Sequence, residues 1–279
     1  MPIREPFASR RTTAPRGSGA ARAFTAVELL VALGILVILA SIFIPYALKL
    51  REESRRISCR DNLQQVFKAL QAYAADNGSF FPRVRYEPTE PLRVFAGADG
   101  EPFAAPANNV TASLWLLVRG GYVKDMSVLL CPSGNGTAAP TRSTADFPTR
   151  ESLGYSYAAP FGVTEQYRLT DVLKPEFALM ADLNPGRANA LPATAPRLAQ
   201  AQINSPSHRH AGQNVLYAYG AVQWQWTPYC GMNQDNIYTV RGQHGATQPT
   251  TLPASDPGAD DLSILPSAED DSFLLPAAP

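Results

Sequence analysis

The sequence is poor in the features that mark most catalytic or nucleic-acid-binding chains. Three cysteines in 279 residues are too few for a disulfide scaffold, and none stands in a C-x-x-C or zinc-finger spacing. Neither charge sign is in excess, with 24 Lys and Arg against 24 Asp and Glu. That balance argues against a nucleic-acid partner and against a basic membrane-binding surface. No G-x-S-x-G, H-E-x-x-H or phosphate-loop motif occurs, and Ser, His and Asp nowhere fall at a triad-like spacing. The expectation is therefore a protein that is not an enzyme, with no catalytic residue, no metal and no cofactor. No internal repeat is present. The 25 prolines and 19 glycines favour turns, short strands and loops over a helical bundle.

One long hydrophobic run is present, and it lies at the front. From Ala26 to Leu48 the chain is apolar except for Glu28, Ser41 and Tyr46, about the twenty residues a bilayer-spanning helix needs. The run is too long for the apolar region of an ordinary secretory signal, and no A-x-A site follows it. Arginines flank it on both sides, so charge asymmetry does not fix its orientation. Glu28 stands out because a carboxylate deep in a membrane helix costs about 2.5–3.5 kcal/mol. It either snorkels to the interface or meets a positive partner.

The segment A-F-T-A-V-E-L-L-V-A-L, residues 23–33, resembles the cleavage and methylation signal of type IV pilins and type II secretion pseudopilins. The resemblance implies a leader of residues 1–23, cut by a prepilin peptidase between Ala23 and Phe24, with Phe24 then N-methylated. It makes Glu28 the family's intramembrane glutamate, which pairs with the N-terminal ammonium of a neighbouring subunit. Pro45 falls where the family places a helix proline. Ala23 stands where the family usually has Gly; the residue stays small, so slowed cleavage is expected.

Past Lys49 the helix is expected to continue, with Glu52 and Arg56 at the favourable i,i+4 order of a solvated helix surface. Cys59, Leu63, Val66, Phe67, Leu70, Tyr73 and Ala74 form an apolar stripe at helical spacing, and Asp76-Asn77-Gly78 is a stop. Short strands are predicted at Val128–Cys131, Gly154–Ala158 and Phe177–Asp182. A hairpin is predicted within 213–226, with Tyr219-Gly220 as a two-residue turn that sets Val215 opposite Trp224 and Tyr217 opposite Val222. The fold class is α+β: a long N-terminal transmembrane and stalk helix packed on a C-terminal antiparallel sheet, as in pilins. The helix takes 24–77, with 24–48 in the membrane and 49–77 soluble, and the exported domain takes 78–241. Beyond it, 242–279 is acidic, Pro-rich and without Lys or Arg, and reads as a disordered tail. Its DDSFLLP ending is apolar enough to dock, and 255–263 faintly resembles an acidic calcium loop, although a solvated tail is the simpler reading.

YAADNGSFFP (73–82) and GGYVKDMSVLLCPS (120–133) resemble segments of the major pseudopilins and their bacterial relatives. NSPSHRHAGQNVLYAYGAVQWQW (204–226) resembles the C-terminal motif of a bacterial pseudopilin-like group, S-x-N-H…G-Q-N-V-L-F-x-D-G-H-V-E-W. By that resemblance His208 takes the place of the family's His and Tyr219-Gly220 that of its Asp-Gly, while Ala221 and Gln223 replace a His and a Glu. Asp182 lies in ADLNPG, a segment that precedes the motif in the same group. With those polar positions gone, Asp182 and His208 make a poor metal set, and His208 with His210 offers only a half-site. For an exported domain one disulfide is expected; Cys59–Cys131, Cys131–Cys230 and three free thiols all remain open. The resemblance implies a fibre subunit, with a prepilin peptidase, other pilin or pseudopilin subunits and the inner membrane as partners and no nucleic acid. It implies a single-pass protein of the inner membrane, its N-terminus cytoplasmic before cleavage and its domain periplasmic. The rival reading is a membrane-tethered binding protein that does not polymerise.

Overall fold

The computed structural model describes residues 25–95, 100–134, 136–137, 144–162, 167–186, 194–239, 261–262, 266 and 270–275. Ala23 and Phe24, and all of 255–263 except Asp261 and Leu262, lie outside them. The chain divides into two compact units, residues 1–48 and 49–279. Helix α1, Ala26–Asp76, contributes to both.

In the first unit α1 is one helix long and apolar enough, by length and composition, to cross a membrane. Its side chains from Ala26 to Leu48 are exposed, save half-buried Ala47. The helix start has a local cause. The Thr25 backbone N–H donates to Glu28 Oε2 at 2.9 Å and its hydroxyl donates to the same oxygen at 2.8 Å, while the Glu28 N–H donates to Thr25 Oγ1 at 3.2 Å. This is a capping box, in which a Thr and the Glu three residues on satisfy each other's amides. Pro45 sits inside the helix, where it removes one backbone hydrogen bond.

In the second unit α1 buries Cys59, Leu63, Val66, Ala69, Leu70 and Ala74, with Phe67 and Tyr73 partly buried against the same core. This is the stripe the helical spacing predicts. The helix stops where expected: the Ser79 N–H returns to Ala74 O at 2.8 Å and Asn77 Nδ2 donates to Tyr73 O at 2.8 Å, closing the orphan carbonyls of the last turn. Helix α2, Val110–Arg119, starts at Asn109, whose side chain accepts from Ala112 N. Trp115, Leu114 and Leu117 of α2 enter the core.

The main sheet is antiparallel and five-stranded. Its strands are β2 (Tyr155–Ala158), β3 (Ala178–Asp182), β4 (Gln213–Tyr217), β5 (Val222–Gln225) and β7 (Leu274–Leu275), in the order β5-β4-β3-β2-β7. A two-stranded ladder joins β1 (Leu92–Arg93) to β6 (Asp261–Leu262). The α+β layout, a long N-terminal helix and a C-terminal antiparallel sheet, is thus present.

Three expectations change. Val128–Cys131 is not a strand: Asp125 accepts from Ser127 N and starts a 3-10 turn over Met126–Leu129. The following Leu130 carbonyl is taken by Asn62 Nδ2 at 2.9 Å and the Tyr155 hydroxyl at 3.1 Å, so it pairs with side chains and not with a ladder. The hairpin is shifted by one residue, with Asn214 opposite Trp224 and Leu216 opposite Val222. Its loop is Ala218-Tyr219-Gly220, closed by Gly220 N–H to Tyr217 O at 2.8 Å and Tyr217 N–H to Ala221 O at 3.0 Å. Only Gly220 takes a positive φ, 90°. A two-residue turn would demand that conformation of Tyr219 as well, so the three-residue loop with Gly in the left-handed position wins. Finally, Asp271–Leu275, placed by composition in a disordered tail, are buried. Ala159 N–H donates to Phe273 O at 2.8 Å and Leu274 N–H to Ile237 O at 2.9 Å, so residues 271–275 dock on the domain, with Leu274–Leu275 as an edge strand.

Candidate functional site

The second unit gathers its most unusual polar groups where α1 meets the sheet. Glu52 and Cys59 lie seven residues apart on α1, on one helix face. Cys131 follows the 3-10 turn, Asp182 ends β3, and His208 precedes β4. Gly154 lets these parts close up, since a Cβ there would collide with the backbone N of Cys131. Its own N–H donates to Leu129 O at 2.7 Å.

His208 is the centre. It is buried, as is Asp182, whereas His210 is exposed and its Nδ1–H donates to Asn204 O at 3.1 Å. The two histidines therefore part, and no H-x-H half-site forms. Three consecutive residues, His208, Arg209 and His210, have φ of 55°, 57° and 59°, a left-handed run that costs about 1–2 kcal/mol per residue. It is held by Ala211 N–H to His208 O at 3.1 Å and by Asn204 Nδ2 to His210 O at 3.2 Å. The strain turns the imidazole inward.

There His208 Nδ1 lies 2.6 Å from Glu52 Oε1, and Nε2 lies 3.4 Å from Asp182 Oδ2 and 3.5 Å from Cys131 Sγ. Ser133 Oγ–H donates to the same Glu52 oxygen at 2.9 Å. Asp182 Oδ2 accepts the Asn214 N–H at 2.7 Å; its Oδ1 is buried without a hydrogen-bond partner. The Trp224 ring lies nearly perpendicular to the imidazole with centroids 5.3 Å apart, and the Arg56 guanidinium stacks 4.0 Å over Trp224. Cys59 and Cys131 are joined in a disulfide with Cα atoms 5.2 Å apart, leaving Cys230 unpaired.

Electrostatics fix the proton. Burial alone would lower the His208 pKa, but the hydrogen bonds and charges of Asp182 and Glu52 outweigh it and raise the value above its ordinary 6.5. For Glu52 burial pushes upward, while hydrogen bonds from His208 and Ser133, with the charges of His208 and Arg55, bring the net shift below 4.5. The raised value favours the charged imidazole between Glu52 and Asp182. This imidazole ties α1 to β3 and to the loop before β4.

The structure thus joins Asp182 and His208, and pairs Cys59 with Cys131. It does not bring Tyr219 into this group: that side chain is exposed at the hairpin loop, where Gly220 packs under Phe67 of α1. Glu28 and Pro45 belong to the other unit. Glu52 corrects the sequence reading. It does not pair with Arg56, which meets Glu53 at 3.6 Å, and its side chain is only 14% exposed. The seven-residue spacing of Glu52 and Cys59 was the available signal; nothing local marked Ser133, Asn214 or Trp224. No protein-family model, curated protein or solved structure matches the chain.

Proposed function

We propose that the chain is a pseudopilin-like structural subunit of a type II secretion or type IV pilus-like assembly. The observation that carries this reading is the first unit: an apolar helix, exposed along its membrane-length stretch save for half-buried Ala47, that opens on a carboxylate at Glu28. Prepilin peptidase would cut between Ala23 and Phe24, and the new ammonium of one subunit would pair with Glu28 of its neighbour. The capping box satisfies Glu28 in the single chain through Oε2, so assembly would exchange or share that bond. Leaving either charge alone in an apolar bundle costs about 3–5 kcal/mol, which is how one residue would set subunit register. The helix would anchor the protein in the inner membrane as a single pass, with the domain outside the cytoplasm. The Cys59–Cys131 disulfide suits such an oxidising space.

Cross-linking in membranes tests polymerisation. With Cys230→Ser to remove the free thiol and Leu30→Cys as a second site, so that each chain can bond to two neighbours, Ile38→Cys should give a ladder of multimers on oxidation, and adding Glu28→Ala should collapse it. A monomer band alone from Ile38→Cys would contradict a fibre subunit and fit a tethered, non-polymerising binding protein.

A further inference from the structure

The buried group around His208 holds more ligand chemistry than an ion pair uses. One ligand atom each from Cys59, Cys131, Asp182 and His208 lies within 4.8 Å of all the others, and all four residues are buried. They come from four separate places in the chain, so the fold and not a local motif assembles them.

Two edges of the group have the lengths of a tetrahedral site. Metal–sulfur distances of about 2.3 Å, with nitrogen and oxygen at about 2.0–2.2 Å, put S and N about 3.6 Å apart and N and O about 3.4 Å apart around tetrahedral zinc. Here Cys131 Sγ to His208 Nε2 is 3.5 Å and Nε2 to Asp182 Oδ2 is 3.4 Å. The sulfur–sulfur edge can reach tetrahedral length only once the disulfide is reduced. The surroundings also match. The Nδ1–H of His208 donates to Glu52 Oε1 at 2.6 Å, which points Nε2 at the other three donors in a carboxylate–histidine–metal arrangement. Asp182 Oδ1 is buried with no hydrogen-bond partner.

We propose that the reduced chain carries a Cys59–Cys131–Asp182–His208 site for a divalent zinc-class cation, and that forming the Cys59–Cys131 disulfide closes it. In the reducing direction the disulfide takes two electrons and two protons from a dithiol or a phosphine. A dithiol is oxidised to its own disulfide; a phosphine, with water, becomes the phosphine oxide. The cation then displaces one proton from each thiol and one from His208 Nε2, leaving two thiolates, a neutral imidazole and a carboxylate around it. In the oxidising direction a disulfide-bearing oxidant accepts the two thiolate electrons and, with two protons from solvent, becomes a dithiol; the sulfurs of Cys59 and Cys131 bond, the cation leaves and His208 Nε2 takes up one proton. The site would hold a newly made chain in its folded arrangement until an oxidising compartment exchanges metal for disulfide.

The test uses the full chain, synthesised into detergent micelles under a phosphine reductant, with Co²⁺ as the probe. One Co²⁺ per chain is expected, giving thiolate-to-cobalt charge-transfer absorption and the intense visible bands of tetrahedral cobalt, both bleached by Zn²⁺. Alkylation of the reduced chain with and without Co²⁺, mapped by mass spectrometry, should find Cys59 and Cys131 slowed by the metal and Cys230, whose thiol burial pushes up to about 12, equally slow in both. The oxidised chain should give no charge-transfer band. Cys230→Ser should leave the spectrum unchanged, His208→Ala should abolish the tetrahedral bands, and Glu52→Gln should weaken Co²⁺ binding by about 10–100-fold. Absence of the charge-transfer band from the reduced wild-type chain would overturn the proposal. So would a metal-dependent change in the alkylation of Cys230, or the lack of one at either Cys59 or Cys131. The protection map is read on the wild-type chain, so it stands even where a variant fails to fold.

Discussion

At the scale of single residues, His208 carries the most consequence for the folded domain. It places one positive charge between two carboxylates, Glu52 and Asp182, of which Asp182 is fully buried. His208→Gln keeps much of the volume and removes the charge, which should destabilise the oxidised chain by about 3–5 kcal/mol, the cost of breaking a buried pair from one side. Denaturant unfolding in detergent, following Trp fluorescence, measures it. The pH dependence has a definite sign. The folded His208 pKa is raised above 6.5, so its stabilisation is complete below 6.5 and is lost as pH climbs through the folded value. The folded Glu52 pKa is lowered below 4.5, so its part is present above 4.5 and fades as pH falls through the folded value. Arg55 lies 3.8 Å from Glu52 on the same helix. The gap between wild type and His208→Gln should therefore be widest from about pH 4.5 to 6.5 and narrow on the alkaline side. A gap that widens above pH 7 would contradict the charged His208.

Among elements, the docked end of the chain gives the sharpest prediction. Phe273, Leu274 and Leu275 are buried, and β7 covers the edge of β2 with Leu275 opposite Tyr157. Fully burying one such side chain is worth about 1.5–3 kcal/mol, so deleting 270–279, with all three, should cost about 4.5–9 kcal/mol, a large part of a domain's stability. It would also bare the β2 edge to other chains. A lowered denaturation midpoint with aggregates on gel filtration is expected; an unchanged midpoint would mean the strand contributes nothing. Composition hid this strand because five buried residues are too few to outweigh their acidic, Pro-rich surroundings. The elements with strong periodicity or clear punctuation were legible: the α1 stripe, its stop at Asn77-Gly78, and β2 and β3 to within a residue. Helix α2 was missed although Asn109 before an apolar run and Gly120 after it mark both ends. The hairpin register failed for a physical reason, since Tyr219 resists a positive φ that Gly220 accepts. The buried group was half legible. His208, Asp182, Cys59 and Cys131 could each be singled out, but their meeting depends on a left-handed run at 208–210 and on Gly154, which no periodicity encodes.

At the scale of the whole molecule, the two units have different jobs in the proposed account. The domain is held by a core, a disulfide and a buried charge group; the apolar helix is exposed and needs an apolar environment, lipid or other helices. Glu28 joins the two possibilities, because a capping box suffices for a lone anchor and an ammonium partner exists only after cleavage before Phe24. The measurement that separates them most directly is the mass of the N-terminal peptide of the protein isolated from membranes of cells that process other prepilins. The account predicts a peptide that begins at N-methylated Phe24. A peptide that still carries residues 1–23 would contradict the fibre-subunit reading and leave the helix as an anchor alone.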